Sequence, residues 1–580
     1  MRKTKIVATL GPATDSVDKI YDLIMAGVDV TRINLSHGDR ASIERAINLV
    51  KEAREKAGKP TAIMLDNRGP EIRVCEIEGA LQLIARQTLT LTGDNTFHST
   101  DRIGCNYTGI AKDVSVGEKI LLDDGKIILI VDKIEKDDII CTVQNSGKLS
   151  SRKRVALPES IVNLPALSDK DVEDIIFGVE QGVDFIAASF IRKAEDVWDV
   201  RKLIEEHGGN LAIISKIENQ QGVDNVQEIL EVSDGMMVAR GDLGVELPAE
   251  QVPIIQKKII RMANEAGKPV ITATQMLESM ITSPSPTRAE ASDVTNAIFD
   301  GTDAVMLSAE TAVGQYPVEA VQFLVRCADS AEAAMDYEAL LADGLRYRKK
   351  TITDSISYAC CATAQDLGAQ AIITSTTSGS TARMVSRYRP GTPIIAVSTN
   401  ESKLRQLQLV RGVTTLPGRR PSSMNEQLDI CVETAQEAGL IKHGDLVVIT
   451  AGMPLGMVGS TNLIKVRTVA NICLLGQGTS PGVAEGTVRI IRKHTDWENL
   501  PKDAIVVLQK TDRSMMEQLR FVRGIVAEAS GLTSHAAIVG RELSIPVVCN
   551  VPDATFTLEN GQIITIDGAS GQVSFGRASI

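Results

Sequence analysis

With 580 residues the chain is too long for one hydrophobic core and is expected to form about three to five domains. Its net charge of -12 argues against non-specific nucleic-acid binding, and no apolar run approaches the roughly 18 residues that would span a membrane. The opening MRKTKIVATLGPATDS lacks an apolar signal core, and the nine cysteines form no CxxC pair, so free buried thiols and a cytoplasmic location are expected.

Short β-rich runs recur along the first half of the chain, each ending in polar or glycine residues and followed by a helical pattern. They begin with KIVATLG at Lys5, VDVTRINLSHG at Val28 and TAIMLDNRGPEIR at Thr61. After a gap come VDFIAASF at Val183, LAIISKIEN at Leu211, GMMVARGDLG at Gly235, KPVITATQM at Lys268 and TDAVMLSAET at Thr302. Alternating strands and helices imply parallel pairing, and eight units fit a closed (β/α)8 TIM barrel, with an open doubly wound sheet as the alternative. The gap, 74–167, carries alternating β segments and a turn signal at Asp124-Gly125, which predicts a small all-β lid domain inserted in a βα loop. The barrel domain is thus expected over 1–73 and 168–345. A second α/β pattern over 346–473 has strand-like runs AIITSTT, PIIAVST, DLVVITAG and NLIKVRTV. The glycine-rich GQGTSPG then reads as a hinge into a last domain, 474–580.

In a barrel of this kind, chemistry sits at the C-terminal ends of the strands. Those ends carry Arg32, Asn34, Ser36 and His37; Asp66, Asn67, Arg68, Glu71 and Arg73; Lys216 and Glu218; Arg240, Gly241 and Asp242; Thr274; and Ser308 and Glu310. Glu218 and Asp242 suit a hard divalent cation such as Mg2+. Lys216 precedes Glu218 by two residues, so both side chains point to one side of the strand. With Arg32 and Arg73, Lys216 would surround a multiply charged anion such as a phosphate. Any one of these residues could equally serve a structural ion pair; their convergence from five strands is what favours a functional site.

The runs KIVATLGPAT, RINLSHGD, LDNRGPEIR, ISKIENQQGVDN, MMVARGDLGVELP, PVITATQMLESM, PTRAEASDVTNAIFDGTDAVMLSAETAVGQYP and GDLVVITAGMPLGMVGSTN, in this order from Met1 to Cys473, resemble the pyruvate kinase family. The resemblance implies phosphoryl transfer from phosphoenolpyruvate to ADP, giving pyruvate and ATP. It implies Mg2+ or Mn2+ on Glu218 and Asp242, and K+ on Asn34, Ser36, Asp66 and Asn67. Phosphoenolpyruvate would contact Arg32, Lys216, Gly241, Asp242 and Thr274, with Arg32, Lys216 and Thr274 catalytic. The nucleotide would contact Asn34, His37, Arg73 and Lys153. The proton that completes pyruvate would come from Thr274 or from a water chain. A homotetramer is also implied. Asn67-Arg68 departs from the family's usual Thr-Lys, and Arg154 stands where glycine usually follows the lid lysine.

In TSTTSGSTARMVSRYRP, Thr376, Thr377, Ser378, Gly379, Ser380 and Thr381 open a helix that also carries Arg383 and Arg387, which reads as an ordinary cap or as an anion loop. The resemblance favours the second: an effector loop for a sugar bisphosphate, a sugar monophosphate or AMP. GLTSHAAIVGRELSIP, through Gly531, Thr533, Ser534, His535, Arg541 and Pro546, resembles the mobile phosphohistidine domain of phosphoenolpyruvate-utilising enzymes. Ser530 and Gly540 depart from the usual glycine and alanine. His535 could accept a phosphoryl group, but a structural or regulatory domain is the favoured expectation. Two rival readings are a synthase-like enzyme that relays phosphoryl through His535, and a non-catalytic metabolite sensor.

Overall fold

The eight expected runs form eight short parallel strands whose side chains alternate between two apolar layers. These are β1 (Lys5–Thr9), β2 (Val30–Asn34), β3 (Ala62–Asp66), β4 (Phe185–Ala188), β5 (Ala212–Ile217), β6 (Gly235–Ala239), β7 (Val270–Ala273) and β8 (Ala304–Leu307). In the computed structural model they close in the order β1-β8-β7-β6-β5-β4-β3-β2, a barrel and not an open sheet. The structure describes residues 2–36, 38–421, 423–452, 461–469, 471–498, 500–529, 531 and 533–576.

Strand parity decides what faces the barrel axis. Val30, Ala62, Met64, Phe185, Ala187, Ile214 and Met237 fill the interior. Their neighbours Ile33, Ile63, Leu65, Ile186, Ile213, Ile217, Met236 and Val238 pack outward against the helices. Helix Arg40–Ala57 shows how the outer ring is specified. Asp39 caps it by accepting from Ser42 N, Ile43, Ile47, Val50 and Ala53 form its buried stripe, and Gly58 ends it at φ 60°.

The chain divides into two compact units. The first comprises Met1–Asp366, Ala371–Thr434 and Ile449–Ile464; the second comprises Leu367–Gln370, Ala435–Val448 and Lys465–Ile580. Within the first unit, the insertion between β3 and β4 is a seven-stranded sheet accompanied by a two-stranded ribbon, Ala80–Leu83 with Gly147–Ser150. Asp123, Asp124 and Gly125 all adopt positive φ at the expected hairpin turn. Ile127, Leu129 and Val131 alternate inward on the strand that follows. A single helical turn, Ile110–Asp113, interrupts the β pattern.

A five-stranded sheet follows, built from β9 (Ala371–Ser375), β10 (Ile394–Ser398), β11 (Val413–Pro417), β12 (Leu446–Gly452) and β13 (Thr461–Thr468) in the order β11-β10-β9-β12-β13. Strand β11 is the one not among the four expected runs.

The second unit holds an eight-stranded sheet, and here the expected hinge is corrected. Gln477–Ser480 is an edge strand hydrogen-bonded to Val547–Cys549. Its glycines serve close approach: a Cβ on Gly478 would lie 2.6 Å from the Gly568 carbonyl oxygen. Asn471–Leu475 pairs with Gln572–Phe575, so the sheet's first and last strands in sequence are neighbours. Gly540 has a comparable reason, since a Cβ there would sit 2.2 Å from the Val547 side chain, packed against helix His535–Leu543. That contact explains why alanine does not stand at this position.

Among the described residues, eight cysteines are buried free thiols. No helix is long and apolar enough to cross a membrane among these residues.

Candidate active site

At the C-terminal end of the barrel, the inward parity of β2, β3, β4 and β5 turns polar. Arg32, Asp66, Ser189 and Lys216 succeed the apolar residues on the same faces, with Glu218 two residues beyond Lys216. Lys216 Nζ lies 2.7 Å from Ser189 Oγ, 3.0 Å from Asp66 Oδ1 and 2.8 Å from Glu218 Oε1. Asp66 also accepts from Arg32 Nε at 2.6 Å, and Arg32 Nη1 reaches Thr9 Oγ1 at 3.0 Å. The ion pairs therefore form a continuous chain, Arg32–Asp66–Lys216–Glu218, in a nearly water-free setting.

Burial shapes the charges here. It works against the Lys216 cation, but Asp66 and Glu218 outweigh it and raise the lysine's pKa above its ordinary value. Burial likewise opposes ionisation of Asp66, yet Arg32 and Lys216 hold its carboxyl below the usual carboxylate range. Glu218 goes the other way: burial and then the charge of Asp242 push it up, against the pull of Lys216. A buried carboxylate that resists ionisation gains from a hard cation, so the donor chemistry of Glu218, with Asp242 near it, fits Mg2+. The two carboxylates form only part of a coordination shell. No cluster of three or more His, Cys, Asp or Glu suited to a metal occurs among the described residues.

Asp242 lies in the first turn of helix Arg240–Glu246, next to Gly241. Gly241 N donates to Thr274 Oγ1 at 2.8 Å, and Thr274 Oγ1 donates to Ala273 O at 2.6 Å. Thr274 holds φ 67°, a left-handed conformation that a β-branched residue rarely adopts, and this strain coincides with a functional candidate. Arg240 braces the turn, donating to Thr274 O at 2.6 Å and to Asp293 Oδ2 at 2.7 Å. Arg240 and Glu310 act on the scaffold: Glu310 accepts from Leu277 N and Ser308 N, fixing two backbones.

Asn34 stands opposite Asp66 where β2 pairs with β3, and Ser36 and Asn67 follow at the ends of these strands. Asn34 Oδ1 accepts from Ser36 N, and Asn67 Oδ1 accepts from Ser189 N, which leaves the Asn67 carbonyl shared with Ser189 Oγ. Asp66 spends its two carboxylate oxygens on Arg32 and Lys216. His37 lies outside the described residues. Glu71 draws Arg73 to 2.5 Å and lies 3.9 Å from Arg68. Lys153 is held within the lid by Asp123 at 2.8 Å, whereas Arg154 beside it reaches the barrel and meets Asp242 at 2.7 Å.

Sequence reasoning missed Ser189 and Phe190. Ser189 shares parity with Phe185 and Ala187 and so could have been found; Phe190, at φ 54°, donates its backbone N–H to Glu218 Oε2 at 2.6 Å.

The loop after β9 is tightly folded. Thr376 Oγ1 accepts from Gly379 N, Gly379 has φ 81°, Ser378 Oγ accepts from Ser380 N, and Thr381 contacts Thr461 at 2.8 Å; Thr377 is exposed. Arg383 turns back to Ser378 O at 3.3 Å. Arg387, at the end of the same helix, is buried against Asp354 at 2.6 Å, because that buried carboxylate requires a counter-charge. In the second unit, His535 begins its helix with Nδ1 3.0 Å from Thr511 Oγ1, beneath the Ser534 cap; Thr533 is exposed and Arg541 Nε donates to Ala537 O.

The chain matches three family descriptions: pyruvate kinase, barrel domain over residues 1–321; pyruvate kinase, alpha/beta domain over 354–467; and PEP-utilising enzyme, mobile domain over 500–571. A pyruvate kinase of Bacillus licheniformis is 50% identical and one of Geobacillus stearothermophilus 49% identical, each over 100% of both chains. A crystal structure of a pyruvate kinase from Cryptosporidium parvum superposes with a TM-score of 0.77 at 39% identity, covering 81% of this chain and 96% of that one.

Proposed function

Since the chain belongs to the pyruvate kinase family, and so transfers the phosphoryl group of phosphoenolpyruvate to ADP, we propose that this transfer runs on the Arg32–Asp66–Lys216–Glu218 chain of ion pairs. The observation that carries the assignment is the buried Lys216 ammonium, kept charged by two carboxylates and facing the barrel mouth. In this reading Arg32 and Lys216 bind the phosphate of phosphoenolpyruvate. Gly241, Asp242 and Thr274 receive the rest of that substrate. As the enol P–O bond breaks and a bond to a β-phosphate oxygen of ADP forms, Lys216 neutralises charge on the moving phosphoryl group. The enolate left behind takes a proton at its methylene carbon, next to Thr274, and becomes pyruvate. Asn34, His37, Arg73 and Lys153 are assigned to the nucleotide. Pyruvate kinases generally depend on Mg2+ and K+. Glu218 and Asp242 would hold Mg2+ or Mn2+, which would supply positive charge against the transferring phosphate; Asn34, Ser36, Asp66 and Asn67 would hold K+.

We assign the catalytic barrel to 1–73 and 168–345, the lid to 74–167, and an effector domain to the residues from 346. The last boundary is best drawn before Asn471, because strand Asn471–Leu475 pairs within the C-terminal sheet. The enzyme is proposed to be cytoplasmic and homotetrameric, and to be activated by a phosphorylated metabolite at 376–381. A lactate-dehydrogenase-coupled assay with Mg2+, with and without K+, tests the reaction. Repeating it with fructose 1,6-bisphosphate, ribose 5-phosphate, glucose 6-phosphate and AMP tests the regulation, and no response to any of them would remove the effector assignment.

His535 is read as accessory, since the ion-pair chain in the barrel needs no histidine nucleophile. His535→Ala is therefore expected to leave ADP-dependent pyruvate formation within about twofold of the parent. A loss of a hundredfold in a normally folded variant would favour the phosphoryl relay instead.

A further inference from the structure

Arg154 belongs to the lid, yet its guanidinium is buried at the barrel mouth. Nη1 donates to Asp242 Oδ1 at 2.7 Å and Nη2 to Glu246 Oε1 at 3.2 Å. Asp242 and Glu246 are four residues apart on one short helix, so their carboxylates stack on one face and present two acceptors to a planar, two-pronged donor. The face of Phe190 lies 4.8 Å from the guanidinium carbon, adding a cation–π contact. The backbone N–H of the same Phe190 binds Glu218. One lid side chain thus touches a proposed cation ligand directly and the other through a single residue. Its contact pattern is that of a counter-ion to an acidic site, because a buried positive charge is tolerated only beside negative partners.

We propose that Arg154 is a built-in counter-ion for the divalent-cation carboxylates: it is bonded to Asp242 when the metal is absent, yields that carboxylate when the metal binds, and so sets the metal's apparent affinity. This rests on the reading that Glu218 and Asp242 hold the cation. Glu246 is the second anchor. It lets Arg154 release Asp242 while the lid stays tethered to the barrel. The lid's position and the metal occupancy are thereby linked through one side chain, and by reciprocity whatever opens the lid strengthens metal binding in the absence of substrates.

The test is Mn2+ binding to the full-length protein without substrates, read from the electron paramagnetic resonance of free Mn2+. Arg154→Met keeps a long apolar side chain and removes the charge; it is expected to tighten Mn2+ binding by about tenfold. Arg154→Lys keeps a charge but not the fork, and is expected to fall between the two. Unchanged or weaker binding in Arg154→Met, with Glu218→Gln still abolishing it, would overturn the counter-ion role while leaving the cation site in place. Unchanged Mn2+ binding in Glu218→Gln would overturn both. Should Arg154→Met fold poorly, Arg154→Lys decides: tighter binding than the parent supports the role, and equal or weaker binding refutes it.

Discussion

Lys216→Ala is expected to lower kcat by about a thousandfold, measured in the coupled assay, while phosphoenolpyruvate binding weakens far less. The reason is the position of the ammonium. It is buried, it lies within 3.0 Å of Asp66 Oδ1, Glu218 Oε1 and Ser189 Oγ, and it is held in its charged form by those carboxylates. A charge fixed in advance in a dry site stabilises charge that develops in the transition state at no cost of reorganisation. The substitution also leaves Glu218 buried without its ion-pair partner, a change worth on the order of 3–5 kcal/mol in stability. Thermal unfolding must therefore accompany the kinetics. Near-parental turnover in a folded Lys216→Ala enzyme would refute the assignment.

Glu218→Gln is expected to reduce kcat by about a hundredfold and to abolish measurable Mn2+ binding. The amide is nearly isosteric, and its carbonyl can still accept from Phe190 N, so the fold is expected to survive. What disappears is the negative charge. Burial and Asp242 already work against that charge, so the neutral amide removes a desolvation cost, but Lys216 loses one of its two carboxylate partners and keeps Asp66. The metal-free variant is expected to fold with a smaller loss of stability than Lys216→Ala. A loss of stability as large as that of Lys216→Ala would point to a structural role; activity lost in a variant that stays folded isolates the cation. The two substitutions also separate the proposed roles, Lys216 on the phosphoryl group and Glu218 through the metal.

The barrel was legible because strand parity is local. Once Met64 and Ile214 are placed inside, Asp66 and Lys216 must follow on the same face. Arg32, Glu218 and Asp242 were readable for the same reason, as polar residues ending apolar strands. Ser189 was equally determined by parity but reads in sequence as an ordinary small residue at a strand end, with no charge to draw attention. The partner of Arg154 could not be read at all. Residues 154 and 242 meet only because the lid, inserted between β3 and β4, folds back on the barrel mouth. Arg387 on the helix after β9 could not be paired from the sequence either, since the buried Asp354 that claims it lies 33 residues upstream. GQGTSPG looked like a hinge because composition reports flexibility and close approach with the same residue, glycine. Only the packing of Gly478 against the backbone at Gly568 distinguishes the two.

The C-terminal sheet joins its beginning to its end: Asn471–Leu475 and Gln572–Phe575 lie side by side, closed by four paired positions from Asn471↔Phe575 to Leu475↔Gln572. A module whose entry and exit strands adjoin can be gained, lost or transplanted as a cassette, because its own hydrogen bonds seal the seam that excision would otherwise leave open. The pairing thus gives a mechanical reason why a domain of this kind could be appended to a barrel enzyme.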